Sequence, residues 1–396
     1  MRLEKILKNS IKDYKKKKQS EGRELTRKEL SFKKQELEDI AARTKKPLLK
    51  LTALVYKSVF PSLKTSYLSV DFEGNPLLLL DPKKAVVYIS SHVSNLDSLV
   101  IGIHLYTNKF PYPIIAAGDN LFKNKLINYF YNSFGAFKLK RANQNKDHFD
   151  LVQSYLKSNL ESGQSLLYFP EGTRSRDGQL GSFKQGLTKS ILKTYFENKT
   201  SKKLDDVLFV PLGIAYSKVP EDIHFSKDKE SSAEQSNLFK DFFNFRKDEI
   251  VSYMRVGKPI SLNDFFNDHN SSQGEINTIT KEFSEHIRQR ITETTPILQQ
   301  DIYHYAIDHC LDSTKTDTIH FKRLRSIINS TYIGLQKLYG PRMIHAKESM
   351  GDFLSRMHKR ELILKERLRI KVKNKEVIKY YANKIASVYK HNRKIN

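Results

Sequence analysis

The chain has 396 residues, 39% hydrophobic and 11% aromatic, which is enough apolar material for a sizeable core and excludes a disordered chain. Lys and Arg number 69 against 44 acidic residues, and the formal net charge of +25 predicts a polyanionic partner: nucleic acid, an anionic membrane face or phosphorylated substrates. Cys310 is the single cysteine, so an intramolecular disulfide and a multi-cysteine zinc site are excluded and a reducing compartment is expected.

A basic helical extension is predicted for residues 1–62. Residues 1–50 carry 17 Lys or Arg against 8 acids, a pattern that suits either a solvated helix or a basic helix facing anionic lipid. Residues 51–62 are more apolar, as in an interfacial helix or a helix packed on a core. We recognise no secretory signal and no apolar stretch of about 18 residues, so any membrane contact is expected to be peripheral or monotopic.

An α/β domain is predicted for residues 63–275, because short apolar runs rich in β-branched and aromatic residues alternate there with longer helical stretches. Buried strands are predicted at residues 85–89, 112–117, 134–139, 165–169 and 207–216, and helices at 96–106, 124–134, 149–162 and 186–196. This alternation predicts a mostly parallel central sheet flanked by helices. The polar segment 222–245 is expected to cross the surface.

A basic helical region is predicted for residues 276–396. Apolar residues recur at helical spacing in two sets, Leu354, Met357, Leu364 and Leu368, and Ile378, Tyr381, Ile385 and Val388. Residues 351–396 contain 14 Lys or Arg and 4 acids, and an amphipathic cap on the α/β domain is favoured over nucleic-acid binding. His304 and His309 lie shortly before Cys310 in the sequence, but no carboxylate or further thiol completes a set of metal ligands. No metal site is therefore predicted.

The stretch SSHVSNLDS, residues 90–98, is the first candidate site, because ligands of open α/β sheets bind beyond the carboxyl ends of the strands. His92 could take a proton from a hydroxyl there. Asp97, on the other ring nitrogen, would fix the tautomer of His92 and stabilise its imidazolium form. In the alternative interpretation Asp97 caps a helix and His92 is a turn residue, and the spacing alone does not decide between the two.

The stretch FPEGTRSRDG, residues 169–178, is the second candidate site. Arg174 and Arg176 have the fork geometry that suits phosphate oxygens, and backbone N–H groups near Gly172 could face an oxyanion. Glu171 could accept a hydrogen bond from a substrate hydroxyl or an arginine. The alternative is a surface turn with two solvated arginines.

These stretches belong to four ordered blocks, HxxxxD, GAFxxxR, FPEGTRSR and VPLGIAY, which together resemble the blocks of the glycerolipid acyltransferase superfamily. The resemblance covers roughly residues 85–220, with a weaker echo at residues 256–262. Residues 111–141 and the last block are most similar to the glycerol-3-phosphate acyltransferases, whereas FPEGTRSR is closer to the lysophosphatidate acyltransferase form. Lys138, Leu139 and Lys140 depart from the glycerol-3-phosphate pattern, and the chain is shorter than the long bacterial enzymes.

The resemblance implies transfer of a fatty acyl group from acyl-CoA or acyl carrier protein to the sn-1 hydroxyl of glycerol 3-phosphate. His92 would be the base and Asp97 its orienting partner. The residues implied in substrate binding are Arg141, Glu171, Gly172, Thr173, Arg174, Arg176, Lys184 and Pro211. No metal or prosthetic group is expected.

The expected location is the cytoplasmic face of an anionic membrane. The alternatives are lysophosphatidate or dihydroxyacetone phosphate as acceptor, or an inactive acyltransferase fold that binds membrane or nucleic acid, and the intact His92 and Asp97 disfavour the inactive fold.

Overall fold

The computed structural model describes residues 2–59, 66–67, 81, 83–122, 124–140, 146–223, 250–268, 275–339, 343–344 and 348–392. The helices are α1 (Arg2–Ser20), α2 (Arg27–Ile40), α3 (Lys46–Val59), α4 (Asp97–Thr107), α5 (Lys125–Ser133), α6 (Lys146–Glu161), α7 (Gln185–Ser201), α8 (Leu262–Asp268), α9 (Ile276–Thr294), α10 (Gln299–Thr314), α11 (Phe321–Tyr339), α12 (Met350–Lys359) and α13 (Lys375–Asn392). The strands are β1 (Ser66–Tyr67), β2 (Lys84–Ser90), β3 (Ile114–Gly118), β4 (Ala136–Leu139), β5 (Leu166–Tyr168), β6 (Asp206–Tyr216), β7 (Ser252–Val256), β8 (Ile260–Ser261), β9 (Ile297–Leu298), β10 (Thr318–His320), β11 (Met343–Ile344), β12 (Ile363–Lys365) and β13 (Arg369–Val372).

The central sheet is mostly parallel, as the alternation of strands and helices predicts. Within the described residues it has the order β1-β7-β6-β2-β5-β3-β4, with β8 paired to β6. Neighbouring strands run parallel except that β7 and β8 are antiparallel to β6. All five predicted strands of the α/β domain are confirmed within a few residues. The reason is visible in β6, which is buried along its whole length and so requires the near-continuous apolar run that the sequence has.

The two faces of the sheet carry separate hydrophobic cores, because successive side chains of a strand point to opposite faces. Val86 and Tyr88 of β2 lie in one core with residues of α4, α10, α12 and α13. Val87 and Ile89 lie in the other with residues of α1, α6, α7 and α9. The N-terminal extension and α9 therefore cover one face, and the later helices of the C-terminal region cover the other. The domain boundaries at residues 62 and 275 stay predictions.

Helix α1 is not solvated all round, because one of its faces packs on α6. Its Lys18 is only 2% exposed, and its Nζ lies 2.6 Å from Asp150 Oδ2 and 2.8 Å from Asp147 Oδ1. Tyr14, one turn earlier, is buried. Part of the basic charge of the extension is thus used inside the protein, while the exposed lysines stay available to an anionic surface. In the part of the chain that the structure describes, no helix combines the length and the apolar character that a bilayer crossing needs.

Replacing Lys18 with methionine is expected to lower the free energy of unfolding by about 2 kcal/mol, because the buried carboxylate of Asp150 would lose one of its two lysine partners and keep only Lys17. The apolar stem of the side chain is kept, so the loss reports the charge. Lys16→Met, at an exposed position of the same helix, is the control. Urea unfolding of the two variants measures the difference, and equal midpoints would contradict a stabilising role for the Lys18 ion pairs.

The helix predicted across Leu354, Met357, Leu364 and Leu368 is wrong beyond residue 359. Helix α12 ends at Lys359, and Glu361 has a φ of 58°, a left-handed turn that reverses the chain. Leu364 lies in β12, which pairs with β13 and, through it, β10 in a small antiparallel sheet. Four leucine or methionine positions matched a helical period by coincidence, whereas Ile370 and Val372, buried on alternate positions of β13, follow the strand period.

The second helical set of the C-terminal region is confirmed, since its four residues are all buried on α13. Of the excursion predicted at residues 222–245, residues 224–245 lie outside the described part of the chain, as do residues 60–62 of the predicted interfacial helix.

Candidate active site

His92 and Asp97 meet at the carboxyl end of β2, where the sequence places them. β2 ends at Ser90, a short loop carries His92, and α4 begins at Asp97. The Nδ1 of His92 lies 2.9 Å from Asp97 Oδ2. Asp97 is fully buried, while the side chain of His92 is 22% exposed. The base thus reaches solvent and its carboxylate does not.

The carboxylate of Asp97 is turned back onto the loop and held by further donors. Its Oδ2 accepts hydrogen bonds from the backbone N–H groups of Val93 at 2.6 Å and Ser94 at 2.9 Å. Its Oδ1 accepts one from the hydroxyl of Tyr216 at 2.7 Å. Because Nδ1 of His92 faces this carboxylate, Nε2 is the nitrogen left to accept a proton from a substrate.

The loop after β5 brackets His92 from both sides. The ring of Phe169 stacks on the imidazole, with centroids 4.3 Å apart and planes 19° from parallel. The backbone N–H of His92 donates to Glu171 Oε1 at 2.9 Å, and the N–H of Ser175 donates to the His92 carbonyl at 2.7 Å. Ring and backbone of the base are therefore both fixed, as general-base catalysis requires.

Glu171 joins two loops beneath the site. Besides the N–H of His92, its carboxylate accepts the N–H of Gly181 at 2.7 Å. Burial raises the pKa of Glu171, and the two backbone hydrogen bonds oppose that rise. The geometry assigns Glu171 to holding the loop of His92. Its predicted contact with the acceptor stays a prediction.

Gly172 stands where a side chain would not fit. Its φ is 65°, and a Cβ there would lie 2.8 Å from Cδ of Lys184. The Lys184 side chain therefore lies over this turn, so the structure brings it to the loop as predicted. The N–H of Gly172 donates to the Phe169 carbonyl at 3.0 Å and is not available to an oxyanion. Thr173, next along the loop, is exposed.

Arg174 is anchored at the rim of the site by a buried carboxylate. Its Nη1 lies 3.3 Å from Glu221 Oε1, and 22% of its side chain is exposed. Glu221 also accepts hydrogen bonds from the hydroxyl of Ser94 at 3.0 Å and the N–H of Asn95 at 2.9 Å. Glu221 thus connects the arginine loop to the loop of His92.

The other predicted site residues form no hydrogen bond or ion pair with His92 or Asp97 in the part of the chain that the structure describes. Arg176 is exposed on the same loop as Arg174. Pro211 is buried inside β6 opposite Ile89 of β2, where it supports the sheet below the site. Arg141 lies outside the described residues. Its neighbour Lys138 forms an ion pair with Asp39 at 2.6 Å.

Phe169, Tyr216 and Glu221 are the site residues that sequence reasoning missed. Phe169 and Tyr216 stand inside the blocks FPEGTRSR and VPLGIAY without an assigned role, and Glu221 follows the second of these blocks by five residues. The available signal was their position at the carboxyl ends of predicted strands. What was lacking was the strand order, which places β6 and β5 on either side of β2.

A mostly parallel sheet with a buried aspartate, a histidine that reaches solvent and a basic loop at its carboxyl edge is an arrangement that can remove a proton from a bound hydroxyl. Comparison with known proteins identifies the domain: residues 72–215 match the family model of the acyltransferases. Over this segment the chain is similar to the acyltransferases, and the resemblance to the glycerolipid acyltransferase superfamily is confirmed.

Similar proteins include two kinds of curated acyltransferase. The dihydroxyacetone phosphate acyltransferase of rabbit (Oryctolagus cuniculus) is 30% identical over 186 residues, 45% of this chain and 26% of the relative. The human enzyme of that name is 30% identical over 171 residues, 42% of this chain and 24% of the relative. A glycerol-3-phosphate acyltransferase of Xylella fastidiosa (strain 9a5c) is 31% identical over 189 residues, 46% of this chain and 21% of the relative. The matched segment thus spans only about a quarter of the length of these relatives.

Among solved structures, one of Drosophila ORC bound to DNA overlaps 82% of this chain and 90% of its own at 9% identity, but its TM-score is 0.17, too low to bear on fold or function.

Proposed function

We propose that this protein transfers a fatty acyl group from an acyl-CoA or acyl carrier protein thioester to the sn-1 hydroxyl of glycerol 3-phosphate, forming lysophosphatidate. The observation that carries the proposal is the geometry of His92, whose Nδ1 is held by buried Asp97 and whose Nε2 is left for a substrate beside a basic loop. The thioester is a co-substrate, and the proposed chemistry needs no metal or prosthetic group.

In the proposed reaction, Nε2 of His92 takes the proton of the acceptor hydroxyl while its oxygen attacks the thioester carbonyl carbon. A carbon–oxygen bond forms and the carbonyl electrons move onto oxygen. The intermediate then collapses, the carbon–sulfur bond breaks, and the proton on His92 passes to the leaving thiolate. Asp97 stabilises the imidazolium between these two transfers.

The acceptor phosphate is proposed to bind the cationic side chains of the loop that brackets His92. Arg174 and Arg176 lie two residues apart on that loop, and Lys184 folds back over Gly172. Arginine forks bind phosphate oxygens in pairs, which fixes orientation as well as charge. Arg141 is proposed as a further phosphate ligand from its match to the family block alone.

An anionic membrane is the proposed partner, and a surface formed by α3 and α5 supports it. Leu51 and Leu54 on α3 and Tyr129 and Phe130 on α5 are each at least 41% exposed. Lys45, at the start of α3, stacks its ammonium on the Tyr129 ring at 4.4 Å. Neither helix contains an acidic residue. Exposed apolar side chains among lysines fit the interface of an anionic bilayer.

The two helices of this α3–α5 surface connect to the elements that carry the site. Helix α5 follows β3, so it starts from the carboxyl edge of the sheet, and α3 packs on α4, whose first residue is Asp97. A protein docked by this surface would present the His92 edge near the membrane that receives its product.

The double replacement Leu51→Asp and Leu54→Asp is expected to weaken binding to phosphatidylglycerol vesicles at least about tenfold. The reason is that two leucine side chains inserted into the bilayer interface contribute several kcal/mol to binding. Sedimentation with vesicles, at stated salt, measures the change. Phe32→Asp and Leu368→Asp, at similarly exposed positions elsewhere, are the controls. Equal loss in all three variants, or none in the double variant, would refute this docking surface.

The acceptor is tested by incubating the purified protein with palmitoyl-CoA or palmitoyl-acyl carrier protein and each of glycerol 3-phosphate, dihydroxyacetone phosphate and lysophosphatidate. Mass spectrometry identifies the products. Lysophosphatidate formed from glycerol 3-phosphate is the expected result. Acylation of another acceptor alone would keep the mechanism and refute the substrate.

Dihydroxyacetone phosphate is the second candidate acceptor, because relatives of that name match this chain as closely as those named for glycerol 3-phosphate. The two acceptors share the phosphate and differ at one carbon. Absence of any product, together with retention of RNA or DNA on a filter at stated salt, would instead favour an inactive acyltransferase fold that binds nucleic acid.

A further inference from the structure

Two consecutive carboxylates follow β6 and contact different parts of the protein. Glu221 contacts the site, since its Oε1 lies 3.3 Å from Nη1 of Arg174. Asp222 contacts the C-terminal region, since its Oδ2 accepts hydrogen bonds from Nη2 of Arg360 at 2.6 Å and from the hydroxyl of Tyr381 at 2.6 Å. Both carboxylates are buried. The turn after β6 therefore joins the arginine loop to the C-terminal region through adjacent residues.

Asp222 is a buried charge whose position depends on these two donors. Its side chain is fully buried, and that of Arg360 is nearly so. A buried carboxylate that loses a partner is strongly destabilised, so the turn stays where its donors are. The hydroxyl of Tyr381 also accepts the backbone N–H of Val219 at 2.9 Å, and its ring stacks on His304 of α10 with centroids 4.5 Å apart. These contacts fix the turn relative to α10 and α13.

Helix α13 also contacts the loop of Arg174 directly. The Nδ2 of Asn383 donates to the carbonyl of Asp177 at 2.8 Å. The backbone of Tyr380 lies so close to Gly178 that a Cβ on this glycine would lie 1.8 Å from the Tyr380 carbonyl oxygen. One helix therefore contacts both the loop that carries the arginine and the turn that carries its carboxylate partner.

We propose that Tyr381 and Arg360 are positioning residues for the acceptor phosphate. By fixing Asp222 they fix the adjacent Glu221, and Glu221 orients the guanidinium of Arg174. The inference rests on the proposed function, in which this arginine binds the acceptor phosphate. A fork that meets phosphate oxygens in pairs loses affinity when it is turned aside, so acceptor binding depends on how the turn is held. The C-terminal region, beyond the matched acyltransferase segment, is thereby part of the acceptor site.

The test begins with Tyr381→Phe, which keeps the stacked ring and removes the hydroxyl that donates to Asp222. This variant is expected to raise KM for glycerol 3-phosphate about fivefold, a change typical of a residue that acts through a packed network. The dissociation constant of glycerol 3-phosphate, measured by calorimetry, should rise in parallel. Values of kcat at saturating acceptor and of KM for palmitoyl-CoA should change less than about twofold. Arg360→Met should behave likewise, and Arg360→Lys should restore part of the affinity.

Tyr303→Phe is the matched control, because it makes the same change at another buried tyrosine of the C-terminal region. The hydroxyl of Tyr303 donates to the carbonyl of Glu348 at 3.2 Å. Its loss should leave acceptor affinity unchanged, even where urea unfolding shows a lower stability.

A double variant separates positioning from a general loosening of the fold. In the presence of Arg174→Ala, adding Tyr381→Phe should lower kcat/KM for glycerol 3-phosphate no further, because the group that the tyrosine positions is already absent. A general loosening would instead give effects that add.

Unchanged acceptor affinity in both Tyr381→Phe and Arg360→Met would overturn the inference, as would additive effects in the double variant or an equal loss in Tyr303→Phe. Dihydroxyacetone phosphate, which carries the same phosphate, is measured in parallel. Binding of either compound that weakens in the two variants, without acylation of any acceptor by the unaltered protein, would keep the positioning role and refute the proposed function. A folded protein that binds neither compound would refute both.

Discussion

Replacing His92 with alanine is expected to lower kcat/KM for acyl transfer by about 10²–10⁴-fold, the usual contribution of a positioned general base. The structure offers no second group on the loop of His92 in the same position: the imidazole is stacked on Phe169 and held by Asp97, and alanine leaves that place without a proton acceptor. The acceptor phosphate is assigned to the basic loop, so KM for the acceptor should change much less than kcat.

Initial rates of product formation at varied acceptor concentration measure this effect. His320→Ala, at an exposed histidine of β10, is the matched control and should retain full activity. A His92→Ala protein that folds and still acylates glycerol 3-phosphate at the original rate would show that another group is the base.

Asp97→Asn is expected to cost about 10³–10⁴-fold in kcat, as removal of the orienting carboxylate does in Ser-His-Asp enzymes. The buried carboxylate now accepts hydrogen bonds from two backbone N–H groups and the Tyr216 hydroxyl as well as from His92. An amide has a single oxygen to offer and an NH₂ that meets these donors, so it would favour the wrong tautomer of His92 and leave its charged form unsupported.

Tyr216→Phe distinguishes the effect of the Asp97 carboxylate from the effect of the hydrogen bonds around it. The variant removes the hydroxyl that donates to Asp97 and keeps the carboxylate. Its loss in kcat should be clearly smaller than that of Asp97→Asn. Pre-steady-state or steady-state rates across pH compare the two variants. If Asp97→Asn retains more than about a tenth of the activity, the carboxylate serves the loop structure and not the base.

The local pattern of apolar residues was sufficient to predict those elements whose burial or side-chain period determines their secondary structure. The five buried strands were predictable because an all-apolar run such as that of β6 is stable only inside a sheet covered on both faces. The five-residue spacing of His92 and Asp97 across one strand-to-helix turn left a helix cap possible, and their place in the four ordered blocks favoured the pair. The failure at residues 354–368 has the same cause, since a short apolar repeat fits a helix and a hairpin equally.

The sequence by itself determined the α/β class and the edge of the sheet at which His92 and Asp97 meet. Only the tertiary structure decided what holds them: Tyr216 lies 119 residues after Asp97 and reaches it because β6 is the neighbour of β2. It also decided that α13 packs against the turn after β6, where the hydroxyl of Tyr381 donates to Asp222, 159 residues earlier in the chain. Such contacts depend on strand order and helix packing, which no local periodicity encodes.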